Sequence, residues 1–433
     1  MEKNQKILNF GIFGKMNSGK CSLNKAINLY IKDLSHPKDF IYKNTKYHLF
    51  PIPCCGQDLK DNFDISIKNS DFLLITIDSS TINNINSEIN YYFHLIVLSI
   101  INGIKKIIFV LTKKIIEEEI KEGKEEIEKV KSFISDIYQN IKKKFVLKTE
   151  FIFDYILVDS LEGDGIEDLL NLFPTADFNN DLNNENEENN CLLLGLYDKY
   201  SDKEREEFVI TCKVNNGGLD LKKNNTSKTI KIEETKLNCY YIDDKTLSIK
   251  NINNIIPFKI SLADGEYIQK LDYIQNQFLS LKFKLNSIDE NYQNNALRNC
   301  FLSFSDKDEN ICYFDTFEAD IIITSFEDDE NLKTKSFTVL TKGCKCLFSS
   351  FNANVECTIV GISGEYDNSD NNKLIQKKII NCKNGVHAKI VINLSHPILA
   401  TKFNICAKFG SFTLMKEGET FAVGKINKYK PKK

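Results

Sequence analysis

The octet Gly14-Lys15-Met16-Asn17-Ser18-Gly19-Lys20-Cys21 has the GxxxxGK spacing of a loop that wraps phosphate. Glycines at its two ends let backbone N–H groups curl around an anion, and Lys20 brings a point charge to the outer phosphates. The next position normally carries a hydroxyl that ligates magnesium. Here it is Cys21, whose soft sulfur is a poor partner for a hard cation. Ser22 lies beside it but points elsewhere on the first helical turn. The candidate phosphate contacts are therefore Gly14, Asn17, Ser18, Gly19, Lys20, Cys21 and Ser22, with no magnesium expected. The same loop also serves, without any ligand, as a compact link between a strand and a helix.

Three further segments fall where a purine nucleotide needs its other contacts. After the apolar run at 106–111 stands Thr112-Lys113-Lys114-Ile115. Guanine recognition calls for Asn-Lys-x-Asp there, its carboxylate accepting the N1 and N2 hydrogens of the base. Lys113 can still stack along a base, but Ile115 cannot accept a hydrogen bond. The turn Asp159-Ser160-Leu161-Glu162-Gly163-Asp164-Gly165 offers Ser160 and Leu161 to the base oxygen, and a plain surface turn accounts for it equally well. The stretch Phe50-Pro51-Ile52-Pro53-Cys54-Cys55-Gly56-Gln57-Asp58 stands where Asp-x-x-Gly should approach the metal and the γ-phosphate. Pro53 occupies the Asp position, Gln57 stands where a water-positioning histidine belongs, and Asp58 is a weak, shifted substitute. No catalytic residue is expected. The cofactor expected is none, or at most weakly bound GTP or GDP, and whether the chain is an enzyme stays open.

These positions need a scaffold, and hydrophobic periodicity supplies one. Short apolar runs at 7–13, 72–77, 106–111 and 151–158 alternate with helical patterns at 22–31 and 115–144. In the last of these, Ile116, Ile120, Ile127, Val130 and Ile134 recur among charges. That alternation predicts a parallel sheet covered on both faces. An Asn-, Asp- and Glu-rich stretch at 176–190 has too little apolar surface to build a core and reads as a linker. Beyond it the period changes to two. Strands are expected at 208–214, 229–232, 240–242, 246–249, 278–285, 300–304, 319–325, 336–340, 355–361, 387–394 and 412–425. The chain is thus expected to be multidomain, an α/β phosphate-loop domain at 1–175, a linker at 176–195, and all-β barrels at 196–312 and 313–433.

Composition closes off several function classes. A net charge of −3 argues against a whole-chain binder of DNA. Five lysines within 425–433 offer contact to RNA phosphates, though a solvated terminus explains them as simply. Thirteen cysteines, without a CxxC pair, argue for reduced, buried thiols rather than zinc or disulfides. No long apolar run or secretory signal is present, so a soluble cytoplasmic protein without a membrane partner is expected.

The order of domains resembles translational GTPases of the elongation factor Tu and elongation factor 1-alpha group. The last domain narrows the resemblance. The run GSFTLMKEGETFAVGK at 410–425, preceded by KNGVHAKIVIN at 383–393, is similar to the final barrel of the eukaryotic class II peptide chain release factor. That family reads GRFTLRDEGKTIAIGK, sharing Gly410, Phe412, Thr413, Leu414, Glu417, Gly418, Thr420, Ala422, Gly424 and Lys425. The segment at 278–304 is likewise similar to the end of the family's first barrel. The resemblance implies a termination factor that binds the ribosome and a class I release factor, as a monomer within a heterodimer. It further implies partner contact through Gly410, Phe412, Thr413 and Leu414, with Ser411 replacing an arginine of the family. An active translational GTPase in termination, ribosome rescue or aminoacyl-tRNA delivery is the alternative.

Overall fold

The computed structural model describes residues 7–31, 39–43, 45–49, 67, 69–79, 89–112, 128–132, 134–136, 138–139, 151–175, 193–216, 237–242, 249–255, 259–262, 278–288, 300–303, 311–323, 339–351, 353–366, 374–375, 381–383, 387–416 and 419–429. The expectations at 50–58, 113–115, 176–190 and 229–232 lie outside the described residues.

In the first domain β1 (Ile7–Gly14), β2 (Asp39–Tyr42), β3 (Thr45–Leu49), β4 (Phe72–Asp78), β5 (Lys106–Thr112) and β6 (Ile152–Val158) form one sheet in the order β2-β3-β1-β4-β5-β6. All neighbours are parallel except β2 and β3, which form an antiparallel pair. This edge pair was not expected from the sequence and makes the sheet mixed rather than parallel throughout. Helices α1 (Lys20–Ile31), α2 (Ile89–Ile101) and α3 (Ile166–Asn171) accompany the sheet. Two apolar clusters lie on its faces because the central strands are apolar on both sides. One packs Leu8, Phe10 and Ile12 against Leu23 and Ile27 of α1 and Leu169 of α3. The other packs Phe13, Ile75 and Phe109 against Leu95, Ile96 and Leu98 of α2 and against Val130 and Ile134. Of the apolar stripe read from the sequence, Val130 and Ile134 are buried, and Ile116, Ile120 and Ile127 lie outside the described residues.

The second domain is antiparallel, built from β7 (Leu193–Asp202), β8 (Glu207–Asn216), β9 (Leu237–Ile242), β10 (Ile249–Ile255), β11 (Lys259–Leu262), β12 (Phe278–Lys284) and β13 (Cys300–Ser303). Its order is β10-β9-β13-β7-β8-β12-β11. Strand β7 begins inside the stretch expected to be linker.

The third domain holds β14 (Cys312–Ile323), β15 (Val339–Thr341), β16 (Lys345–Ser350), β17 (Ala353–Tyr366), β18 (Leu374–Ile375), β19 (Asn381–Lys383), β20 (His387–Ala400), the short α4 (Ala407–Gly410), β21 (Ser411–Lys416) and β22 (Glu419–Tyr429). Its main sheet runs β16-β21-β22-β14-β20-β17-β18, and β16 also pairs with β17, closing a barrel. Closure removes exposed strand edges. The stretch read as a single strand at 412–425 is two antiparallel strands, with Ser411 opposite Lys425 and Leu414 opposite Ala422. Glu417-Gly418 was the turn signal between them. The architecture is therefore an α/β phosphate-loop-type domain followed by two antiparallel β-barrel domains, as the sequence indicated. Among the described residues, no helix is long and apolar enough to cross a membrane.

Candidate functional site

The parallel strands bring the candidate residues to one edge of the sheet. Gly14 at the end of β1 lies beside Thr76 of β4, Asp78 lies beside Thr112 at the end of β5, and Thr112 lies beside Val158 at the end of β6. The loop 15–19 and the turn 159–165 thus leave the carboxyl ends of β1 and β6, with β4 and β5 between them, on the side where open α/β sheets form their ligand crevice.

The local backbone explains the glycines. Gly14 has φ 149°, and a side chain there would drive Cβ to 2.2 Å from Thr76 Oγ1 and 2.5 Å from Ser18 Oγ. Gly19 has φ 85°, a left-handed conformation, with the Thr112 side chain 3.0 Å from its would-be Cβ. Asn17 is also left-handed, at φ 63°.

The polar groups of this loop are tied to the chain itself. Lys20 is only 8% exposed, and its ammonium donates to the carbonyls of Gly14 at 2.8 Å and Lys15 at 2.6 Å. Ser18 Oγ shares a 2.6 Å hydrogen bond with Thr76 Oγ1, which also donates to Phe13 O at 3.1 Å. Thr112 Oγ1 donates to Ser18 O at 2.8 Å. Thr76 was missed in the sequence, although a threonine inside the apolar run FLLITID was a visible signal. Cys21 and Ser22 are both exposed on the first turn of α1. A thiol at the position of the magnesium hydroxyl does not fit a hard divalent ion. Among the described residues, no group of three or more His, Cys, Asp or Glu is placed to hold a metal.

The turn at 159–165 is also closed on itself. Asp159 Oδ1 accepts the backbone N–H groups of Leu161 at 2.9 Å and Glu162 at 3.2 Å. Asp159 N in turn donates to Asp164 O at 3.0 Å. This internal cap occupies the Leu161 amide that the sequence offered to a base oxygen. Leu161 itself is 86% exposed, while Ser160 Oγ is buried with no hydrogen-bond partner among the described residues. Lys113 lies outside the described residues. The structure therefore brings together Gly14, Asn17, Ser18, Gly19, Lys20 and Thr112, and sets Ser160 and Leu161 on the turn after β6.

The segment expected to face a partner is buried in this structure. Gly410, Phe412, Thr413 and Leu414 are all buried, Phe412 and Thr413 being 1% exposed and Leu414 fully enclosed. Phe412 stacks on Phe348 at 5.0 Å and meets Phe317 edge-on at 5.6 Å. A Cβ on Gly410 would lie 2.4 Å from the backbone of Phe403. Phe412 and Leu414 belong to the barrel core, whereas Thr413 is buried on the opposite face of β21, the face that carries Ser411. Ser411, at the position of the family's arginine, is 1% exposed and donates to Asn102 Oδ1 of the first domain at 3.0 Å.

Comparison with known proteins agrees with this fold. Residues 316–427 match the family described as GTP-eEF1A C-terminal domain-like. No curated protein matches the chain. Translation elongation factor SelB from Methanococcus maripaludis, in its apo form, is 16% identical and superposes with a TM-score of 0.58, over 99% of this chain and 81% of its own. The same factor with the GTP analogue GppNHp is 18% identical, with a TM-score of 0.59 over the same shares. Sup35 complexed with GMPPNP is 14% identical, with a TM-score of 0.42, 99% of this chain and 95% of its own being covered. The chain thus carries the three-domain fold of elongation-factor-type proteins, and its last domain matches the elongation factor 1-alpha C-terminal family.

Proposed function

We propose that this chain is a translation factor of the elongation-factor type that works as a binding module, its phosphate loop kept as a scaffold rather than as a hydrolytic centre. One observation carries the reading. The Lys20 ammonium, which would neutralise the outer phosphates, is buried and satisfied by the carbonyls of Gly14 and Lys15. The thiol of Cys21 at the metal position and the missing carboxylate at Ile115 support it. Losing a charge-assisted contact to a base costs about 1.5–3 kcal/mol. Losing the metal removes most of the charge stabilisation on which phosphoryl transfer depends. Calorimetric titration of the whole chain with GTP and GDP, with and without magnesium, is expected to show weak binding or none. Micromolar or tighter affinity, or turnover of GTP, overturns the reading.

The resemblance of 410–425 to the class II release factor supports termination as the process, with a class I release factor and the ribosome as partners. With Phe412 and Leu414 in the barrel core, such a partner is expected to meet other residues of this domain. Peptide release from ribosomes halted at a stop codon, with and without this chain, tests that assignment. A second reading, delivery of aminoacyl-tRNA, draws on the superposition with the elongation factor SelB along nearly the whole chain. Protection of aminoacyl-tRNA from hydrolysis by the chain would favour it over termination.

A further inference from the structure

Lys213 of β8 is fully buried although it carries an ammonium at the end of a solvent-length side chain. Its Nζ does not stay within the second domain. It donates to the backbone carbonyl of Asn69 and lies 3.3 Å from Asp71 Oδ1, both of the first domain. Asp71 is equally enclosed, its side chain 3% exposed. Its second oxygen accepts the backbone N–H of Asn9 at 2.8 Å and the Asn9 side-chain amide at 2.9 Å, while Asp71 N donates to Asn9 O at 2.7 Å. The carboxylate is thus tied to β1 by bonds that do not involve the lysine. Among the described residues, Asp71 from the entry to β4 and Lys408 from α4 of the third domain act on the charge of Lys213. All three domains meet at this point.

Removing a lysine and a carboxylate from water together is costly, and surface complementarity alone does not call for it. The expected return is specificity: a desolvated pair is satisfied in one relative placement of two bodies and left exposed in others. The strands involved also build the phosphate loop, since β1 carries Asn9 and ends at Gly14, and β4 follows Asp71 and carries Thr76. We infer that Lys213, Asn69, Asp71 and Asn9 form an interdomain latch whose closure sets whether the second domain is docked on the first. Lys408 of the third domain repels the protonated form of Lys213.

Closure is coupled to protons. Burial pushes Lys213 down to about 7, Asp71 opposing the shift and Lys408 adding to it. An undocked Lys213 would titrate near the ordinary lysine value, about 10.4. The docked state therefore holds fewer protons between these two values, so docking strengthens as pH rises through that window and is weakest below it.

Hydrogen–deuterium exchange and small-angle scattering of the full chain test the latch. Lys213→Met and Asp71→Asn are each expected to enlarge the radius of gyration and to raise exchange in β8 and around Asn69. The double variant is expected to return toward the parent, because neither buried charge is then left alone. Single variants with the parent's scattering and exchange overturn the inference, as does a double variant that opens as far as the singles. If a single variant loses its fold by circular dichroism, the unmodified chain decides. Its exchange at these strands should fall between about pH 6 and about pH 9 after correction for the intrinsic rate, and no change, or a rise, overturns the latch.

Discussion

The hydroxyl of Thr112, at the end of β5, donates to the carbonyl of Ser18 in the phosphate loop at 2.8 Å, linking residues 94 positions apart. This bond fixes the loop to the strand that would carry base recognition. Thr112 is 1% exposed, so the Ser18 carbonyl has no water to replace the donor. Thr112→Val keeps the shape and removes the hydroxyl. It is expected to destabilise the first domain by about 1–2 kcal/mol, read as a lowered midpoint in urea with an unchanged slope.

Asp159 caps its own turn by accepting two backbone amides. Asp159→Ala removes both bonds at once, at a cost of about 1 kcal/mol in this partly exposed position. The Leu161 amide then becomes available. A thermal melt checks the first effect, and titration with GDP checks whether releasing this donor measurably tightens binding.

Gly424 is enforced by packing. A Cβ there would sit 2.3 Å from Phe412 Cζ and 2.9 Å from Ile321 Cγ2, inside the closed barrel. Gly424→Ala should cost about 1–3 kcal/mol by overpacking. Gly410→Ala meets Phe403 backbone atoms at 2.4 Å, which cannot swing aside, and is expected to be the worse of the two. Denaturant midpoints of the two variants rank them.

Tyr47 carries a pH signature. Its hydroxyl donates to Pro174 O at 3.0 Å, and burial pushes it up from 10.0 to about 12, the Thr45 side chain opposing the shift and Tyr42 adding to it. The folded chain therefore holds a proton that the unfolded chain releases between these values. The contribution to stability is complete below about pH 10 and is lost as pH rises through about 12. Tyr47→Phe should flatten the alkaline limb of a stability-against-pH curve. An unaltered limb would show that this tyrosine does not set it.

Thiol labelling should follow exposure. Cys21 is exposed, whereas Cys212 is fully buried and its thiol is pushed well up by burial. Alkylation of the native chain followed by peptide mapping is expected to find Cys21 modified early and Cys212 only on unfolding. Early modification of Cys212 would mean that the second domain opens readily.

The phosphate loop, the alternation of strands and helices, and the change to period two were legible in the sequence because they depend on nearby residues. Gly14, Gly19 and Lys20 act within one turn of chain, and a strand's apolar faces repeat every second residue. The same local reading missed the β2–β3 edge pair and joined β21 to β22. Pairing partners are chosen across the fold, and apolar character alone does not mark where a strand reverses. Only tertiary structure decided that Phe412 and Leu414 point into a closed barrel, because closure converts a strand face into an interior. Only tertiary structure decided, too, what Lys213 does. In sequence it is one lysine in the strand EFVITCKVNN. Its partner Asp71 lies 142 residues earlier and in another domain, and the burial that gives the pair its meaning exists only once the domains have met.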